Sequence, residues 1–265
     1  MAGELDYLAH LSRESARFAR AVSEAPPGAP VPSCPGWNAE DLLWHLAEVQ
    51  WFWGTVVRDR LDGEQADARR PLRPGDRAGL AAFFLRVSQD LAEILSATAP
   101  GTPAWTWSQD QTAGFIRRRQ AHEALIHRVD AELTAGTRTP MDPRLSADGV
   151  DEALRVMHGA VPRWGTFSPD TAGTLRLIAA DTGDSWLVTL GRFTGTDPDD
   201  QAPHDELIIR TAGTDPGGPA AATASGTAAD LDCWLWGRPG LAPVTQAGDR
   251  EVLGRFGATI GAGIA

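Results

Sequence analysis

The sequence contains no lysine, only two cysteines and a single tyrosine among its 265 residues. Two cysteines, Cys34 and Cys233, cannot form the disulfide framework that stabilises many small secreted domains. No run approaches the roughly 18 consecutive apolar residues that a membrane-spanning helix needs. The first residues also lack the basic start and apolar centre of a secretory signal. We therefore expect a soluble, cytoplasmic protein with reduced thiols and no membrane partner.

Positive charge is scarce as well. The 24 arginines are outnumbered by 35 acidic residues, which gives a formal net charge of -11. Proteins that bind the phosphate backbone of nucleic acids present a basic face, so we expect no nucleic-acid partner. The exclusive use of arginine, with abundant alanine, glycine and proline, is typical of GC-rich coding, as in actinobacteria. The length allows one large domain or two modest ones.

The first predicted domain, residues 1–140, has the pattern of four amphipathic helices. Apolar residues recur at helical spacing over residues 3–25, and a segment rich in proline and glycine follows. Asn38 is a suitable N-cap for a second helix. A third helix is predicted over residues 76–98 and a fourth over residues 112–133. Four such helices favour a four-helix bundle.

The second predicted domain covers residues 147–265. The segment 135–149 is rich in glycine, proline and aspartate and predicts the boundary between the domains. A short helix is predicted over residues 150–164, and three strands over "TLRLIAAD", "SWLVTLGR" and "DELIIRTAG". Residues 217–238 are expected to form a loop, a further strand and then a helix. A last helix is predicted near the C-terminus. The predicted fold class is thus a helical bundle followed by a smaller α+β domain with an antiparallel sheet.

The stretch "RRRQAHEALIHRVDAEL", residues 117–133, concentrates side chains that could bind a metal. Glu123 and His127 are four residues apart, so a helix places both on one face. His122 and His127 are five residues apart, which is about 140° around a helix. The zinc-protease pattern HExxH would need a histidine where this chain has Ile126. The stretch therefore predicts half of a metal site, Glu123 with His127, and no protease motif.

A third ligand is expected from another helix, because a catalytic zinc typically has three protein ligands. His45 is the best candidate, since it lies within the apolar stripe of the second helix and should point into the bundle. Simpler interpretations stay open: Glu123 could pair with Arg119 one turn earlier, and His45 could be an ordinary core residue. Asp130 could orient a ligand or pair with a nearby arginine.

Two further features lie close to these residues in the sequence. Cys34, in the turn "CPGW", is expected to pack, with a position at the mouth of the site as the alternative. Five of the ten tryptophans could line a pocket or fill the core: Trp44, Trp51, Trp53, Trp105 and Trp107.

Three motifs resemble one protein family. "VPSCPGWNAEDLLWHLAEVQ" resembles the opening motif of the mycothiol-dependent maleylpyruvate isomerase family, within the DinB-like superfamily. "HEALIHRVDAEL" resembles its second motif, and "GTAADLDCWLWGR" with "AGDREVL" resembles the end of its C-terminal domain. The resemblance covers nearly the whole chain in the same order. It implies a DinB-like, metal-binding four-helix bundle and a C-terminal domain similar to sterol-carrier folds.

The resemblance also implies a chemistry. His45, Glu123 and His127 would bind a divalent metal, with zinc as the first expectation, and Arg238 would be a catalytic residue that serves a carboxylate or a developing negative charge. Because zinc deprotonates a thiol, mycothiol, the low-molecular-weight thiol of actinobacteria, is the expected cosubstrate. The expected enzyme is a mycothiol-using S-transferase or isomerase acting on a small electrophile. A metal-dependent hydrolase that uses bound water and a non-enzymatic metal- or small-molecule-binding protein are the alternatives.

Overall fold

The computed structural model describes residues 5–211 and 217–262. The chain divides into two compact units, Met1–Pro140 and Met141–Ala265. Within the described ranges, no helix is both long enough and apolar enough to cross a membrane.

The N-terminal unit is an α-helical bundle, as predicted. Its helices are α1 (Tyr7–Glu24), α2 (Ala39–Asp59), α3 (Gly63–Asp67), α4 (Arg77–Ala97) and α5 (Ala113–Thr134). The four long helices are those predicted from the sequence, whereas the short α3 was not predicted. Asn38 caps α2: its side chain accepts hydrogen bonds from the backbone N–H groups of Glu40 and Asp41, and the Asp41 side chain accepts one in return. Helix α1 packs chiefly against α5, and α2 chiefly against α4.

Helix α5 differs from the other three long helices in what it buries. The bundle core has the usual apolar composition, with Phe18 packed on Phe84 and with Leu42 and Leu46 fully buried. Helix α1 also buries His10 and Glu14, and α2 buries Gln50, but α5 buries the most polar and charged side chains: Arg119, Gln120, His122, His127, Arg128, Asp130 and Glu132. Burying such groups is costly unless they are paired with partners of suitable charge. The buried charges of α5 therefore indicate a functional site on this helix.

The C-terminal unit is α+β, as predicted. It comprises α6 (Pro143–Glu152), a π-helical turn (Ala153–Met157), β1 (Gly165–Ala179), β2 (Ser185–Thr196), β3 (Pro203–Thr211), β4 (Ala222–Gly226), α7 (Ala228–Leu235), β5 (Thr245–Gly248) and α8 (Arg250–Gly261). The strand order is β3-β2-β1-β4-β5. All neighbours are antiparallel except β1 and β4, which pair in parallel. The sheet is therefore mostly, but not wholly, antiparallel.

The start of this unit differs from the prediction. The helix expected over residues 150–164 begins at Pro143, inside the segment predicted to be a break, and residues 158–164 are not helical. Asp142 caps α6 through the backbone N–H groups of Arg144 and Leu145, and Pro143 occupies the first turn. Proline is well tolerated there, because the first N–H groups of a helix have no partner within it. Strand β5 was also missed, and the last two residues of the predicted strand "DELIIRTAG" lie outside the described residues.

Candidate metal centre

Two helices of the bundle bring the three predicted ligands together. His45 lies on α2, and Glu123 and His127 lie one turn apart on α5. The Oε1 atom of Glu123 is 3.5 Å from Nε2 of His45 and 3.1 Å from Nε2 of His127. The rings of His45 and His127 meet edge to face, with centroids 4.8 Å apart. The two imidazoles and the carboxylate thus converge on one point.

The spacing of the donor atoms suits a small divalent cation. One ligand atom from each residue can be chosen so that all three lie within 4.8 Å of one another. Around a tetrahedral zinc with bonds of about 2.0–2.2 Å, ligand atoms are roughly 3.3–3.5 Å apart. The separation of 3.5 Å between His45 and Glu123 falls in this range, and that of 3.1 Å between His127 and Glu123 is slightly shorter. Among the described residues, this is the only group of three or more such side chains that meets the spacing.

Glu123 uses its two carboxylate oxygens for different partners. Oε1 faces the two histidines, whereas Oε2 accepts a hydrogen bond of 3.1 Å from Nη2 of Arg119, which lies one turn earlier on α5. Burial acts to raise the pKa of Glu123, but the hydrogen bonds with His127 and His45 and the charge of Arg119 hold it well below 4.5. The salt bridge that offered a simpler interpretation of Glu123 is therefore present. It engages the oxygen that faces away from the histidines.

His127 is held between two carboxylates. Its Nδ1 atom lies 2.8 Å from Oδ2 of Asp130, and its Nε2 atom lies 3.1 Å from Glu123. Burial alone would lower the pKa of His127, but the contacts with Asp130 and Glu123 raise it to about 9. The surroundings therefore favour positive charge at this imidazole. A divalent cation at Nε2 could take the place of that proton.

Asp130 is itself fixed by the turn that precedes α2. The hydroxyl of Ser33 donates a hydrogen bond of 2.5 Å to Oδ1 of Asp130, and Sγ of Cys34 lies 3.8 Å from Oδ2. Cys34 is half-buried and packs against the bundle core, as expected from the sequence, and it also lies beside Asp130, the partner of His127. The role of Ser33 was missed, because a lone serine in a loop gives no sequence signal for a contact with a distant helix.

The other histidines of the chain are engaged elsewhere. His122 is buried on α5 and lies near the ring of Tyr7, with centroids 6.3 Å apart. His10 contacts Arg13. His158 lies 3.2 Å from the carbonyl oxygen of Leu235 and His204 lies 2.6 Å from Glu206, both in the C-terminal unit. None of these four belongs to the group formed by His45, Glu123 and His127.

A pocket of about 300 Å³ opens beside His45, the one of the three ligands that forms part of its wall. Phe52 and Trp53 contribute aromatic surface, and Glu48 and Arg70 contribute charge. Of the tryptophans considered from the sequence, Trp53 lines this pocket, whereas Trp44 and Trp51 pack against the bundle core. Arg70 follows helix α3, which was not predicted, so its ion pair with Glu48 on α2 was not predicted either.

Arg238 lies in the C-terminal unit, just after α7. Its backbone N–H donates a hydrogen bond of 2.8 Å to the carbonyl oxygen of Cys233, which helps to end the helix. Its Nη1 atom donates one of 2.6 Å to the carbonyl oxygen of Trp236. The side chain is half-buried. Its catalytic role stays a prediction.

Comparisons with known proteins cover both units. Residues 8–132 match the profile described as the mycothiol maleylpyruvate isomerase N-terminal domain, and residues 144–255 match that of the C-terminal domain of the same family. A crystal structure of a mycothiol-dependent maleylpyruvate isomerase is similar, with a TM-score of 0.59 and 14% identity over 92% of this chain and 93% of that chain. A histidine-to-alanine mutant of such an isomerase gives a TM-score of 0.58 and 13% identity over the same shares. No relative was found among the curated proteins. On the two profile matches, the chain belongs to the mycothiol-dependent maleylpyruvate isomerase family.

Proposed function

We propose that this protein is a mycothiol-using enzyme that isomerises a small electrophile and binds a divalent metal through His45, Glu123 and His127. The observation that carries the proposal is the convergence of these donor atoms from α2 and α5. Membership of the mycothiol-dependent maleylpyruvate isomerase family supports the thiol and the class of reaction. Zinc is the metal we expect first, because two imidazoles and one carboxylate form a common catalytic zinc site with an open position.

The chemistry proposed for this site begins with a thiol. A zinc ion held by the three ligands would lower the pKa of a thiol and so supply the thiolate, the nucleophilic form. The thiolate adds to one carbon of a double bond conjugated with a carbonyl group, and the displaced electron pair moves to the carbonyl oxygen as an enolate. The former double bond is then a single bond and can rotate. When the thiolate leaves, the double bond re-forms and the thiol is recovered. Transfer of the thiol to an electrophile would use the addition step alone and is the alternative outcome at the same site.

Neighbouring side chains prepare the three ligands for this task. Asp130 accepts a hydrogen bond from Nδ1–H of His127, which leaves Nε2 directed at Glu123. Arg119 holds Oε2 of Glu123 and so fixes the orientation of Oε1. Hydrogen bonds of this kind orient metal ligands and raise their affinity for the ion. For Arg238 we propose binding of a substrate carboxylate, for which a guanidinium is well suited.

Thermal unfolding in the presence of mycothiol tests this function. We expect mycothiol to raise the melting temperature of the zinc-loaded protein, and we expect a chelator to abolish that rise. At a mycothiol concentration of about 100 times Kd, the stabilisation would be about 2.7 kcal/mol. A rise that survives removal of the metal, or no rise at all, would contradict the proposal. Turnover of the electrophile without any added thiol would instead indicate the hydrolase.

A further inference from the structure

The pocket beside the three ligands has the polarity of a site for a polyhydroxylated ring. Arg70 spans two carboxylates: Nη1 lies 3.0 Å from Oε1 of Glu48, and Nη2 lies 2.7 Å from Oδ1 of Asp67. All three side chains line the pocket. A guanidinium offers five N–H donors and each carboxylate several acceptor positions, so the trio can still bond to hydroxyl groups that act as both donor and acceptor.

Aromatic side chains give the same pocket an apolar surface beside its charged residues. The rings of Phe52 and Trp53 meet edge to face, with centroids 5.1 Å apart. The ring of Trp105 stacks on that of Trp53, with centroids 6.1 Å apart and an interplanar angle of 25°. This contact holds the Trp53 ring in place. The C–H face of a sugar or cyclitol ring is apolar and packs on such a surface while its hydroxyls reach a charged rim.

The position of His45 connects this pocket with the proposed thiol chemistry. His45 faces Glu123 with Nε2 and at the same time forms part of the pocket wall. A thiol whose sulfur lies at the three ligands would therefore extend the rest of its structure into the pocket. The volume of about 300 Å³ is at the lower end of ligand pockets. It accommodates one sugar or cyclitol ring, and the rest of a larger thiol would extend beyond it.

From these contacts we infer that Glu48, Asp67 and Arg70 bind the hydroxyl groups of the thiol's carbohydrate part, with Phe52 and Trp53 packing on its ring. Mycothiol has this chemistry, since its cysteine thiol is attached to an amino sugar and an inositol. The inference rests on the proposed function and names the part of the molecule that recognises the cosubstrate. The pocket would thus select mycothiol over thiols that have the same reactive group and no sugar.

Charge argues against the electrophile as the occupant of this pocket. Two carboxylates and one guanidinium line it, so its side chains carry one excess negative charge if all are ionised. An anionic electrophile such as maleylpyruvate would lie close to the carboxylates of Glu48 and Asp67, whose like charge disfavours its binding there. A neutral polyol carries no such penalty, and its hydroxyls can satisfy the carboxylates and the guanidinium together.

Calorimetric titration of the zinc-loaded protein with two thiols tests this inference. Mycothiol carries the sugar, and N-acetylcysteine has the same thiol environment without it. We expect the parent protein to bind mycothiol at least about tenfold more tightly, and Arg70→Gln and Glu48→Gln to remove about tenfold of the mycothiol affinity while leaving N-acetylcysteine unchanged. The matched control is Arg69→Gln, because Arg69 pairs with Asp59 at 3.4 Å and does not line the pocket.

The possible results separate the two proposals. Equal affinity of the parent for both thiols, or variants that leave mycothiol affinity unchanged, would overturn the pocket assignment and leave the thiol function standing. Equal losses for both thiols in Arg70→Gln would also overturn it, because the effect would then lie at the sulfur. If neither thiol binds the zinc-loaded parent, the proposed function fails, and the pocket assignment fails with it.

Discussion

Asp130 lies with its Oδ2 atom 2.8 Å from Nδ1 of His127, while Ser33 holds the other oxygen of the same carboxylate. This contact sets which ring nitrogen of His127 faces Glu123. We therefore predict that Asp130→Asn lowers zinc affinity by about 10–100-fold, because an amide is a weaker partner for the Nδ1 proton. Competition with a chromophoric chelator measures the affinity.

The control for this variant is Asp90→Asn, which removes an exposed carboxylate on α4. It should leave zinc affinity unchanged, and circular dichroism should show both variants folded. A zinc affinity for Asp130→Asn equal to that of the parent would show that Asp130 does not position the ligand.

Gly63 packs directly against the ring of Trp105. A Cβ atom added there would lie 2.3 Å from Cη2 of Trp105, the ring that stacks on Trp53. Because an indole ring cannot bend away, we predict that Gly63→Ala displaces Trp105 and costs about 1–3 kcal/mol of unfolding free energy. Urea denaturation followed by tryptophan fluorescence measures this change.

A second glycine provides the comparison. No atom lies within 4 Å of the position that a Cβ would take at Gly75, so Gly75→Ala should change the unfolding free energy by less than about 0.5 kcal/mol. Equal stability of the two variants would mean that the contact between Gly63 and Trp105 is not tight in solution.

Glu132 takes part in a buried ionic network at the end of α5. Its Oε1 atom lies 2.9 Å from Nη1 of Arg128, whose Nε atom lies 2.8 Å from Glu14. Burial acts to raise the pKa of Glu132, but hydrogen bonds from Thr139 and Arg128 outweigh it and lower the pKa below 4.5. A carboxyl group whose pKa is lowered by folding adds stability above its unfolded pKa, and that stability is lost as the pH falls through the folded value.

The consequence is a pH-dependent effect of Glu132→Gln. We predict a loss of about 1–3 kcal/mol at pH 7, which narrows as the pH falls below about 4.5, where the parent also loses the charge. Melting temperatures measured between about pH 2.5 and pH 7 test this, with the exposed Glu93→Gln as the control. A difference between parent and Glu132→Gln that is constant over this range would contradict the prediction.

Most of the helical bundle was predictable because its signals are local. Asn38 and the acidic residues that follow it specify a capping box, and the spacing of Leu42 and Leu46 specifies the buried face of α2. The start of α6 was missed because Pro143 was taken as a breaker and not as a first-turn residue after Asp142. The parallel pairing of β1 with β4 depends on contacts between distant segments, which strand patterns do not encode.

The candidate site was predictable to the extent that helix geometry determines it. The four-residue spacing selects Glu123 with His127 and separates His122 from them, and an inward position singles out His45. The contact of Ser33 with Asp130 joins a loop to a helix that is distant in the chain. The contact of Arg70 with Glu48 depends on the position of α3, a helix of only five residues. They arise from tertiary packing and leave no pattern in the sequence.

Metal analysis of the purified protein tests the central claim most directly. Elemental analysis after purification without chelators should find about one divalent metal ion per chain in the parent, and little in His45→Ala or His127→Ala. His204→Ala is the matched control, because the His204 side chain is 31% exposed and that of His45 is 32% exposed. It should keep the metal of the parent. A folded parent protein without stoichiometric metal would contradict the account, and so would His45→Ala or His127→Ala variants that retain the metal of the parent.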